Sequence, residues 1–190
     1  EVIYLPQAMR RRLAWNEIDF VRYLVLHEMA HIEHSEPKGN VLAELPYHQS
    51  TACVINCLED LRIEALEMRQ MVGFNTIITN GRRMACEMWR RKLSEYKEKG
   101  EDPAIESALS HVIFMGGISS EFRKPTGHKS VDALIKLFTD HMIFDDIDLV
   151  CEQPERFEKT SDLAPLAARI IHLLPSRPHD EDGYDQQQWG

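Results

Sequence analysis

The sequence predicts a mainly helical fold, α+β in detail, with a small β edge and additional helices toward the C-terminus. Three observations carry that reading. Apolar residues recur at helical spacing through most of the chain, as in Val54, Ile55, Leu58, Leu61, Ala65 and Met68. One short run, residues 1–5, alternates in the β manner. At 190 residues, 43% hydrophobic and 28% charged, the chain is long enough for one sizeable core and ordinary for a soluble globular domain.

Taken in order, residues 1–5 (EVIYL) read as an edge strand stopped by Pro6. Residues 7–14 read as a basic helical turn. Asn16 is a suitable N-cap, and Asp19 suits the first turn of a helix over residues 16–34. Residues 35–48 contain Pro37, Gly39, Asn40 and Pro46 and read as a loop. A long helix follows over residues 49–71. Residues 73–80 read as a break with some β character, and Gly81 then opens a helix over 82–99 that ends at Gly100. Pro103 suits the first position of a helix over 104–114, broken by Gly116-Gly117. Residues 131–144 and 163–174 read as two further amphipathic helices. Residues 175–190, polar, acidic and Pro/Gly-rich, read as a disordered tail or the start of a linker.

The chemistry lies in the first long helix, at His27-Glu28-Met29-Ala30-His31. Helical residues four apart lie one above the other, so both imidazoles point to one side. There they can hold one Zn²⁺ at ~2.0–2.1 Å. Glu28 lies about 100° around the helix, within reach of a water at the metal without being a ligand. Two histidine ligands with a glutamate general base make the H-E-x-x-H arrangement of metal-dependent hydrolases, most often peptidases. The apolar run Phe20, Val21, Leu24, Val25 and Leu26 leads directly into it. Polar groups on a helix this apolar need partners, and a metal supplies one.

A hydrolytic zinc site needs a third protein ligand. Glu59 lies at the border of the apolar face of the second long helix, beside Ile55, Arg62 and Leu66, where a residue facing a packed neighbour belongs. Asp60 projects about 100° further round. It reads as a supporting group, or as the ligand itself if the helix is turned differently. His34, seven residues after His27, shares that face but joins the metal only if the helix breaks at Ser35-Glu36-Pro37. Otherwise it is a surface histidine favourable to the helix C-terminus. A donor for the oxyanion of a tetrahedral intermediate would come from Tyr47, His48, Arg62 or His111.

A strand, a helix with H-E-x-x-H and a following helix with an acidic residue make a layout that resembles zincin-type metallopeptidases. Among these the gluzincins, thermolysin-like enzymes, use a downstream Glu. The strings EVIYLP and FVRYLVLHEMAHIEH also resemble the metallopeptidase domains found ahead of von Willebrand A (VWA) domains in bacterial and phage proteins. LEDLRIEA is similar to the E-x-x-R-x-E segment of cobaltochelatase CobT-like proteins, in which an acidic linker leads to a VWA domain and the partner is an AAA+ ATPase. The match covers roughly residues 1–70. It implies His27 and His31 as ligands, Glu28 as general base and Glu59 as third ligand. Thermolysin-like enzymes also carry an Asp four residues after the ligand Glu, orienting a histidine. Counted from Glu59 that position is Ile63, so Asp60 or Asn56 would have to take the role.

Composition narrows the function classes. The net charge of −9 argues against a nucleic-acid platform, and the Arg82-Arg83 and Arg90-Arg91 pairs read as a solvated basic face. No apolar run reaches the ~18 residues of a membrane helix. Cys53, Cys57, Cys86 and Cys151 form no C-x-x-C pair and read as reduced thiols in a cytosol. No secretory signal pattern is visible, and the chain opens on Glu1 rather than Met, as an excised domain or a processed product does. The expectation is a cytoplasmic, zincin-like metal-binding domain over residues 1–174, with a tail at 175–190. It would be a zinc metallopeptidase acting on a protein or peptide, which an exposed strand near Tyr4 could hold by strand pairing. The alternative is a catalytically silent zinc-binding module that docks on an AAA+ ATPase or VWA partner.

Overall fold

The computed structural model describes residues 15–46 and 48–175. The protein is mainly helical, with no strand among the described residues. The expected edge strand at residues 1–5, the basic turn at 7–14 and the tail from residue 176 lie outside the described residues.

Helix α1, Trp15–His34, buries Tyr23 and Ala30 and packs against α3 and α4. A short helix, α2, Lys38–Glu44, then occupies the expected loop. Pro37 stands at its N-cap, where a missing N–H costs nothing, and Val41 and Leu45 are drawn into the core. Burial therefore overrides the turn propensity of Gly39 and Asn40.

The centre of the fold is α3, Thr51–Gln70, which meets α1, α4, α5, α8 and α9. Val54, Ile55, Leu58, Leu61 and Ile63 are all essentially fully buried. Each such side chain contributes about 1.5–3 kcal/mol relative to exposure. Yet Glu59, Arg62, Glu64 and Glu67 are buried too, so α3 is enclosed on nearly every side rather than on one stripe.

A single 3₁₀ turn, Val72–Phe74, leads straight into α4, Asn75–Lys99. The β character of residues 73–80 is not realised, because Ile78 is buried from within the helix. Gly81 does not open this helix but lies inside it, and the reason is steric. A Cβ there would come within 2.0 Å of the Tyr23 ring. The missing side chain lets α1 close on α4 and fixes Tyr23 against the site described below.

Helix α5, Ile105–Ser110, runs through a π turn, His111–Met115, into the single turn α6, Gly116–Ile118. The Gly116-Gly117 pair is thus no break. At Gly117 a Cβ would lie 2.5 Å from a Leu61 methyl, so this glycine permits the approach to α3. The helix expected over 131–144 is two helices: α7, Lys129–Asp140, and α8, Ile143–Glu152. They part at Met142, whose φ of 56° no continuing helix can accommodate. Ile143 and Phe144 consequently pack from α8. Helix α9, Ala164–Leu173, closes the core with Leu166, Ala167, Ile170 and Ile171.

Candidate metal centre

Helices α1 and α3 bring the two imidazoles of H-E-x-x-H against one carboxylate. His31 Nε2 lies 3.1 Å from Asp60 Oδ1, and His27 Nε2 lies 3.6 Å from the same oxygen. Ligand atoms of His27, His31 and Asp60 all lie within 4.8 Å of one another. The three side chains are partly open to solvent, Asp60 most of all at 27%.

The other nitrogen of each imidazole is taken. His27 Nδ1 is 2.9 Å from Glu64 Oε1, which also accepts from the Tyr23 hydroxyl at 2.6 Å. Arg82 Nε donates to the second Glu64 oxygen at 2.6 Å. Burial raises the Glu64 carboxyl pKa, but the His27 hydrogen bond and the Arg82 charge outweigh it and keep the group ionised. Burial likewise pulls His27 down, and Glu64, Asp60 and Glu28 more than restore it, leaving it above its ordinary value. Tyr23 is pushed well up by burial and by the Glu64 charge, so it remains a donor.

At His31 a similar argument assigns the tautomer. Ser35 Oγ donates its one proton to Glu59 Oε1 at 2.7 Å, so it accepts from His31 Nδ1–H at 2.9 Å. Both imidazoles thus carry a proton on Nδ1 and turn Nε2 toward Asp60. In the neutral rings those Nε2 lone pairs face carboxylate lone pairs. Such an arrangement is favourable only with a cation, a proton or a metal, between them. The donor set of two imidazoles and a carboxylate suits zinc.

Glu59, the expected third ligand, stands elsewhere. It is fully buried, and its two oxygens receive Ser35 Oγ at 2.7 Å, Thr160 Oγ1 at 2.8 Å and both Nε and Nη2 of Arg62 at 2.7 Å. Three of these donors converge on Oε1 and the fourth is on Oε2, and the carboxylate that comes within ligand-sharing distance of His27 and His31 is that of Asp60 rather than Glu59. Burial raises its pKa, but Arg62 and the two hydroxyls bring it below the usual carboxylate range. Glu59 supports His31 through Ser35 instead. Four residues after Asp60 stands Glu64, the carboxylate that orients His27.

The remaining sequence candidates separate cleanly. Glu28 is exposed beside His27 on α1. His34 does not join His27 and His31; its Nε2 meets Glu67 at 3.1 Å, with Glu33 close by. Arg62 donates to Glu59 and to the carbonyls of His34, Phe157 and Glu158, so its five N–H groups are committed to holding the fold. His48 Nδ1 accepts from the Ser50 amide at the start of α3. Tyr47 lies outside the described residues. Asn56 Oδ1 is buried with no hydrogen-bond partner among the described residues, and Ile63 is fully buried in the core. The four cysteines are free thiols.

His111 is packed edge-on against Trp89 and Phe122, 1% exposed, with no well-formed hydrogen bond on either nitrogen. Burial pushes its pKa down to about 4, a backbone group of Phe122 offsetting this only in part. The unfolded chain, with an ordinary value near 6.5, binds the proton first. Between those values the unfolded state holds more protons, so stability falls as pH drops from about 6.5 toward 4, by up to about 3 kcal/mol. His111→Phe is expected to flatten that part of the stability profile, measured by urea unfolding at pH 7 and pH 5. An unchanged slope would assign the acid sensitivity to another group.

Sequence reasoning missed the segment at residues 157–161. Glu36 N donates to Thr160 Oγ1 at 3.0 Å, and Ser161 donates to Glu36 from both N and Oγ. These bonds tie the end of α1 to a segment more than a hundred residues away and hold Ser35 over Glu59. Comparison of the chain with protein-family models, curated proteins and solved structures gave no significant match.

Proposed function

We propose that the protein is a zinc-dependent peptide hydrolase of the metallopeptidase class, with His27, His31 and Asp60 as ligands and Glu28 as general base. The observation that supports it most is the convergence of two Nδ1-anchored imidazoles on one Asp60 oxygen. Zinc, when bound, supplies a Lewis acid for a carbonyl oxygen and an acidified water near neutral pH. Glu64 and Ser35 hold the two rings in the tautomer that leaves Nε2 free to ligate. Glu28 takes a proton from the attacking water and passes it to the leaving amine. The exposed side chains of Met29 and Ile32 give a bound peptide apolar surface on the same helix.

Glu28 separates this reading from a silent zinc-binding module, since a purely structural site has no use for a glutamate there. We expect purified protein to carry about one zinc per chain. Cleavage in a peptide library should disappear on treatment with 1,10-phenanthroline and return when zinc is restored. Cleavage indifferent to the chelator would rule out the proposal.

A further inference from the structure

Three of the four arginines that read as a solvated basic face line one open cleft of about 380 Å³. It lies between α4 and the segment that follows α6, with Ile118, Phe122 and Met68 supplying apolar wall. Arg82 Nε is committed to Glu64, but its Nη2 is buried with no hydrogen-bond partner among the described residues. A buried guanidinium edge without an acceptor is costly, and an oxygen that drew the Arg82 side chain toward the cleft would relieve it. Arg83 is well exposed and only reaches Glu87 at 4.0 Å. Arg90 lies over the Phe122 ring at 5.0 Å and pairs with Glu121 at 2.8 Å, both side chains being more than half exposed. Exposed pairs of this kind contribute little and exchange readily for a better acceptor.

The chain carries a net charge of −9, yet here three guanidinium groups line one cleft with Glu121 as the single acidic residue in its wall. Guanidinium forks match the oxygens of a phosphate, whose charge near −2 suits several cations better than one carboxylate would. The cleft is larger than a phosphate alone, and its apolar wall would stay bare beneath one. We propose that this cleft binds a small phosphate monoester. Arg82, Arg83 and Arg90 take the phosphate head, and Phe122 and Ile118 pack on its apolar body. Among the described residues its hydrogen-bonded link to the metal centre is the Arg82–Glu64 bond, and it holds whether or not the protein is a peptidase.

The test is calorimetric titration of the intact protein with phenyl phosphate at low ionic strength, with inorganic phosphate and phenol as comparison probes. Phenyl phosphate is expected to bind at least about tenfold more tightly than either. The double variant Arg83→Gln/Arg90→Gln, altered only at exposed positions, should lose about tenfold or more, while Arg91→Gln, outside the cleft, should not change affinity. Unaltered melting temperatures would show that the variants fold. Absence of phenyl phosphate binding, or affinity unaffected by the double variant, would overturn the site. Inorganic phosphate binding as tightly as phenyl phosphate would overturn the ligand class, as would phenol doing so.

Discussion

Replacing Asp60 with alanine is expected to lower zinc affinity by more than the about 10–100-fold that loss of a supporting hydrogen bond costs, and to leave the metal-free fold nearly as stable as the parent. Asp60 is the carboxylate at the two Nε2 atoms, it is partly exposed, and the histidines are its close partners. Glu59→Gln should do the opposite. The ligand atoms stay in place, but the fully buried Arg62 loses its counter-charge. Breaking one side of a buried ion pair costs about 3–5 kcal/mol. Urea unfolding in the presence of EDTA reads the stability term, and competition with a zinc-binding dye reads the affinity. Zinc retained by Asp60→Ala and lost from Glu59→Gln would return the ligand role to Glu59.

The second large effect is expected at Glu28. Glu28→Gln keeps the size of the side chain and removes the base. Glu28 is exposed, so stability should change by no more than about 0.5 kcal/mol, and zinc content should be that of the parent. Peptide hydrolysis should fall by ~10²-fold or more, the usual worth of a positioned general base. Equal cleavage by parent and variant would exclude the mechanism. Zinc-loaded parent protein that cleaves nothing, yet binds an AAA+ ATPase irrespective of Glu28, would favour the silent module.

The helical class and the first part of the site were legible because they are local. The apolar run before His27 and the four-residue spacing of the histidines lie within one helix, and α1 forms over almost the expected span. The carboxylate that meets the two imidazoles, Asp60, is one residue from the expected Glu59. That expectation took the apolar stripe of α3 to mark the direction of its partner, but α3 is enclosed on nearly all sides and has no single inward direction. Two of the groups that claim Glu59, Ser35 and Thr160, reach it only in the tertiary structure, Thr160 from 101 positions along the chain. One signal was present: Arg62, three residues after Glu59, is the spacing of an intrahelical ion pair and marks Glu59 as occupied. Gly81 misled for a related reason. It read as a helix opening, whereas its role is to admit Tyr23, which no local pattern records.

The most direct test of the central claim is the zinc X-ray absorption spectrum of protein loaded with one equivalent of metal. His27, His31 and Asp60 predict a shell of nitrogen and oxygen only, near 2.0–2.1 Å, with the outer scattering of two imidazoles. A sulfur shell near 2.3 Å, or fewer than two imidazoles, would place the metal elsewhere and contradict the account.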